Sequence, residues 1–138
     1  MIKTIYDKIV TLLKTLDEIK KIYENPESNP KGYPYAWVVW EGNESQELTN
    51  SEDRITMNFK ITLVQEKLED FKGRKEAEET TKDRAWKIEE LFRDNNDLGL
   101  SSVLRVLPTS TTKSYDPDSK RIILETLLSI QVVGSVST

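Results

Sequence analysis

Apolar residues at the start of the chain recur at alternating steps of three and four: Ile2, Ile5, Ile9, Leu12, Leu16, Ile19 and Tyr23. That spacing places them on one stripe of a helix, and Tyr6, Leu13 and Ile22 widen the stripe beyond a narrow coiled-coil seam. A helix over residues 2–23 is therefore expected, lying on a sheet or a partner. Pro26 and Pro30 end it in a loop, because proline lacks an amide donor and restricts the residue before it. Tyr33 to Trp40 is a run of β-favouring residues, with Tyr35, Trp37 and Val39 on one side and Ala36, Val38 and Trp40 on the other. It predicts a strand over about 35–41 whose two faces both need cover. Alternation is cleaner farther on, where Ile55, Met57, Phe59, Ile61 and Leu63 point one way and Arg54, Thr56, Asn58, Lys60 and Thr62 the other. That gives a half-buried strand over about 53–66. Between these strands Glu41 to Glu52 has little periodicity and reads as an exposed loop, longer than a hairpin needs.

A second helical stripe follows over 74–95, carrying Ala77, Thr81, Arg84, Ala85, Ile88, Leu91 and Phe92. Its outer face pairs Glu78 with Lys82, Asp83 with Lys87 and Glu89 with Arg93, acid first at a spacing of four, which supports a helix. Asn95, Asn96, Asp97 and Gly99 supply the usual C-terminal stop. Strands over about 101–110 and 120–133 complete the pattern, and Asp116-Pro117-Asp118-Ser119 makes the turn that joins them as a hairpin. The order is αββαββ. Grouped hairpins predict a single α+β domain over 1–138, a mostly antiparallel four-stranded sheet with both helices packed on one face.

A chain of 138 residues with 36% hydrophobic and 32% charged positions has enough apolar content for one folded core, unlike a disordered chain. No apolar run approaches the roughly 20 residues that cross a bilayer, so no membrane association is expected. Met1 leads into a charged amphipathic pattern, not the basic start and apolar stretch of a signal peptide. The sequence has no cysteine and no histidine, which removes disulfides, thiolate chemistry and the commonest general base and metal ligand. No enzyme activity and no cofactor are expected; only a carboxylate-dependent hydrolase would survive these absences. A net charge of -4 disfavours sequence-reading contact with nucleic acid. The carboxylates of Glu41, Glu44, Glu47, Glu52 and Asp53 are dense, but the glycine of this stretch, Gly42, stands second where a calcium loop wants it sixth, so no metal site is expected.

The aromatic residues are more informative. Trp86 lies nearly opposite the Ile88 stripe, which displays it on the outer face of the second helix, and an exposed tryptophan asks for a partner. Trp37 and Trp40 project from opposite sides of one strand, and Ile123, Leu127 and Val133 fall on the side of the last strand that two helices cannot reach. Either loops of the same chain or a neighbouring subunit must cover that side, and a subunit is the expectation here. Lys72, Arg74 and Lys75 at the start of the second helix are a further candidate contact, for an acidic surface.

Taken together, an amphipathic first helix, a proline-rich turn, the strand YPYAWVVW from Tyr33-Pro34-Tyr35-Ala36, a polar loop, the alternating strand RITMNFKITLVQE from Arg54, a helix and a closing hairpin resemble the tail terminator (tail completion, or neck) proteins of long-tailed bacteriophages. The resemblance implies a virion protein made in the host cytoplasm, whose subunits form a homohexameric ring. Such a ring caps the tail tube, stops its polymerisation and gives the surface to which the head and its connector dock. Its partners would be further copies of itself, the tail tube protein and a head-completion or connector protein, with DNA passing as non-specific cargo. In such a ring the acidic stretch Glu41 to Asp53 would face the passage, where like charge keeps the duplex from adhering. Another component of the head-tail junction, or a small non-enzymatic adaptor that binds a cellular protein, are the alternative readings.

Overall fold

The structure, a computed structural model, describes residues 1–24, 30–47 and 52–135. In chain order the elements are α1 (Ile2–Leu13), β1 (Lys21–Tyr23), β2 (Tyr35–Glu47), β3 (Glu52–Lys67), a short 3-10 turn (Leu68–Asp70), α2 (Arg74–Asp94), β4 (Val103–Asp116) and β5 (Arg121–Ser135). The sheet has five strands in the order β1-β2-β3-β5-β4. The pairs β2–β3, β3–β5 and β4–β5 are antiparallel, whereas β1 runs parallel to β2 with Lys21, Ile22 and Tyr23 opposite Tyr35, Ala36 and Trp37. The fold is α+β, but the expected four-stranded antiparallel sheet is corrected to a five-stranded mixed one.

The extra strand comes out of the predicted first helix. α1 stops at Leu13, and the chain then folds through tight turns in which Thr15, Leu16 and Ile19 donate their amides to Leu12, Leu13 and Leu16, three residues back. The Thr15 hydroxyl takes the Leu12 carbonyl at 2.6 Å, a bond that competes with helix propagation. Leu16 and Ile19 still pack against the core, so their helical spacing survives without a helix. The expected loop Glu41 to Glu52 is corrected as well: β2 runs on to Glu47 and β3 begins at Glu52, in register from Asn43 opposite Met57 to Glu47 opposite Asp53. A bulge at Glu41 joins this stretch to the first half of β2, with Gly42 at φ 117°, a backbone conformation that favours glycine.

Phe59, Ile61 and Leu63 of β3 face Leu128, Thr126 and Leu124 of β5, so the inward positions of neighbouring strands form one apolar layer. Ile5, Ile9 and Leu13 of α1 and Ile88 and Phe92 of α2 close over it in a single core, which puts both helices on this side. Outward positions make the open face. Part of that face is covered by the chain itself: Tyr35 stacks on Trp37 with centroids 5.8 Å apart, and Tyr23 and Tyr33 meet Tyr35 edge-on at 5.6 and 5.3 Å. The Arg121 guanidinium lies 3.8 Å over the Tyr33 ring, which accounts for its buried Nε having no hydrogen-bond acceptor among the described residues. Val64 is buried beneath this cluster. None of the helices is long and apolar enough to cross a membrane among the described residues.

Candidate interaction surfaces

Inward alternation along β3 continues past Leu63 to Gln65, a fully buried amide that must find polar partners. α2 brings them. Gln65 donates from Nε2 to the Thr81 hydroxyl at 2.9 Å and accepts from the Arg84 guanidinium at 2.8 Å. Arg84 also donates to both Glu66 oxygens, at 2.7 and 3.2 Å, and through Nε to Glu18 at 3.1 Å. Lys87 holds the other Glu18 oxygen at 2.6 Å and Asp83 at 2.9 Å. This relay fastens the turn after α1 to α2 and borders a cavity of about 270 Å³ walled by Leu16, Ile19, Leu63 and Ile88.

The Lys87 hydrogen bond, followed by that of Arg84, outweighs partial burial and holds the Glu18 carboxyl below its ordinary value. Burial works to raise the Glu66 pKa, but Arg84 overcomes it and the net direction is downward. Burial likewise works to lower the Arg84 pKa, and Glu66 and Glu18 together carry it above its ordinary value. Lys87, bonded to Glu18 and Asp83, is pushed up to about 12. For carboxylates with depressed native pKa values, stability is fully present above the ordinary glutamate value of 4.5 and is lost as pH falls below it through the native values. Urea midpoints measured from neutral pH down to about pH 3 should therefore fall on the acid side, and Glu66→Gln should flatten that fall; an equal slope in the variant would refute this assignment.

Of the interface candidates, Trp86 is 59% exposed and Trp40 45%. The Arg93 guanidinium stacks on the Trp86 ring at 5.5 Å from its centroid, and Arg93 is itself held by Glu89 at 2.8 Å. Trp86 forms one wall of a groove between α2 and β4, about 380 Å³ in volume, with Ala85, Leu124, Thr111 and Lys113 among its other walls. Trp40 sits opposite Phe59 and so on the helical side of β2, its indole N–H donating to the Asn43 side chain at 2.8 Å. Trp37 is half-buried in the aromatic cluster. Leu127 is exposed on the open face with Leu107 of β4 nearby, the latter a residue the pattern did not single out.

Lys72, Arg74 and Lys75 are exposed and form no salt bridge among the described residues. They do not adjoin the Trp86 groove. Glu41 and Glu44 are exposed on β2, and Glu41 shares Lys60 with Glu125, at 3.5 and 3.2 Å. Glu47, Glu52 and Asp53 belong to the paired strands, and their side chains lie outside those described. No group of three or more acidic residues among the described ones is placed to hold a metal ion. The Arg84 relay was signalled in the sequence only by Thr81 and Arg84 standing on an otherwise apolar stripe and by Gln65 continuing the β3 alternation. No protein-family model and no curated protein sequence matches this chain.

Proposed function

We propose that this chain is a structural subunit of a virus particle, a tail terminator whose copies close into a ring, taken as six, on the end of the tail tube. There it would stop tube growth and present the docking surface for the head connector. The observation that carries this reading is the placement of two exposed tryptophans at opposite edges of the sheet on its helical side, Trp40 on β2 and Trp86 beside β4. A closed ring needs a different patch on each flank of the subunit, and a two-fold dimer does not. Glu41 and Glu125 share the single amine of Lys60, which leaves this part of the open face net negative and suits a surface past which DNA slides. Negative-stain microscopy of the concentrated protein, with and without the tail tube protein of the same virus, should reveal closed rings and tubes of limited length. Unlimited tube growth in its presence would overturn the proposal.

A further inference from the structure

The sheet has two bare edges, and they differ in kind. β1 covers β2 only along Tyr35–Trp37, so among the described residues nothing pairs with the outer side of β2 from Val38 to Glu47. β4 forms the opposite edge. Its first half is blunted: the Val106 amide is taken by the Asn96 carbonyl at 2.8 Å, Pro108 offers no amide, and register shifts fall at Val103/Arg105 and Pro108/Ser110. From Ser110 to Asp116 the strand is regular, paired residue by residue with 121–127. The antiparallel alternation set by Val106 and reset at the second bulge turns the backbone groups of Thr111, Lys113 and Tyr115 outward, away from β5. A stretch with no bulge, no proline and, among the described residues, no covering segment is an open template for another strand.

We infer that the occupant is a second copy of this chain, whose bare β2 edge joins the β4 edge so that the sheet continues from copy to copy. Charge selects this pairing over the symmetric ones. The bare β2 stretch carries exposed Glu41 and Glu44 and no base, so two such edges together repel. On the β4 side Lys113 and Arg93 are already held by Glu78 and Glu89 at 2.7 and 2.8 Å, but Arg105 and the flanking Lys82 of α2 form no ion pair among the described residues, and the one strand carboxylate, Asp116, is tied into the turn by Ser119 at 2.8 Å, so this edge keeps unpaired positive charge. β2 and β4 run in opposite directions within one copy, so a neighbour in the same orientation presents β2 antiparallel to β4. In that arrangement the helical sides of both copies coincide. Trp40 of one then meets the groove between α2 and β4 of the next, against Trp86, while Glu44 is carried toward Arg105. This seam rests on the ring reading in that it takes copies of the chain to be one another's partners.

The test uses Trp40→Asp and Trp86→Asp, both at exposed positions, with circular dichroism to establish that each variant keeps its fold. Each substitution blocks one edge and leaves the other intact. Either variant by itself should run as a monomer in analytical ultracentrifugation, its self-association weakened at least about 30-fold, as loss of an interface tryptophan commonly does. With one variant isotope-labelled so that masses differ, native mass spectrometry of the mixture should reveal a one-to-one pair and nothing larger. A variant that keeps the wild-type oligomer, a mixture that gives no pair, or a wild-type chain that stays monomeric at every concentration overturns the seam. Rings that survive both substitutions remove the seam and leave the tail-terminator reading standing. A one-to-one pair from a protein that does not limit tube growth does the reverse.

Discussion

Arg84→Ala is expected to destabilise the fold by about 3–5 kcal/mol, the usual consequence of removing one member of a buried charge pair. The loss comes less from the missing attraction than from what stays behind: Gln65, fully buried, loses its donor, and the two Glu66 oxygens lose theirs together. Since folded domains hold only about 5–15 kcal/mol in all, a shift of this size should be plain in the urea midpoint. The deficit should also narrow in acid, because the wild-type chain then loses the same carboxylate contribution that the variant already lacks. Removing the buried amide as well, in Arg84→Met with Gln65→Leu, should recover the part of the deficit that comes from Gln65 and leave the part that comes from the unpaired Glu66 carboxylate. A single variant with an unchanged midpoint would mean that water reaches Gln65 and Glu66 freely.

Phe59→Ala should cost about 3–5 kcal/mol by a different route. Phe59 is fully buried on β3, flanked by Trp40 on one neighbouring strand and Leu128 on the other, under both helices. Truncation leaves a cavity that strands fixed in register on both sides cannot collapse to fill. The loss should be the same at neutral and acid pH, which separates it from the Arg84 effect in the same urea experiment. A loss below about 1 kcal/mol would show that the helices move in to fill the space.

Where apolar pattern and backbone geometry coincide, the chain is legible. Ile55 to Leu63 alternate because one face of β3 is packed and the other is not, and the α2 stripe from Ala77 to Phe92 reads for the same reason. The turn at Asp116 to Ser119 was readable because its hydrogen bonds are made by those side chains themselves. β1 was not readable, because three residues have no period of their own and become a strand only through Tyr35–Trp37. The far half of the β2–β3 hairpin hid for another reason. Strand pairing there is made by backbone groups, and exposed Glu41, Asn43 and Glu44 need no apolar alternation to take part. The tryptophans of the candidate surface were legible as exposed or two-sided, whereas the groove beside Trp86 depends on α2 crossing to β4, which a linear pattern does not encode.

β5 occupies the slot between β3 and β4, although it follows both in the chain. β3 and β4 therefore lie parallel with α2 linking them, and neither has its neighbour on that side until residues 121–135 have left the ribosome. A nascent chain that has reached only Asp116 keeps Val103 and Val106 wet and the inner side of β4 without a partner. Such a chain exposes apolar surface and an unpaired strand edge, which makes it prone to aggregate until β5 has been made.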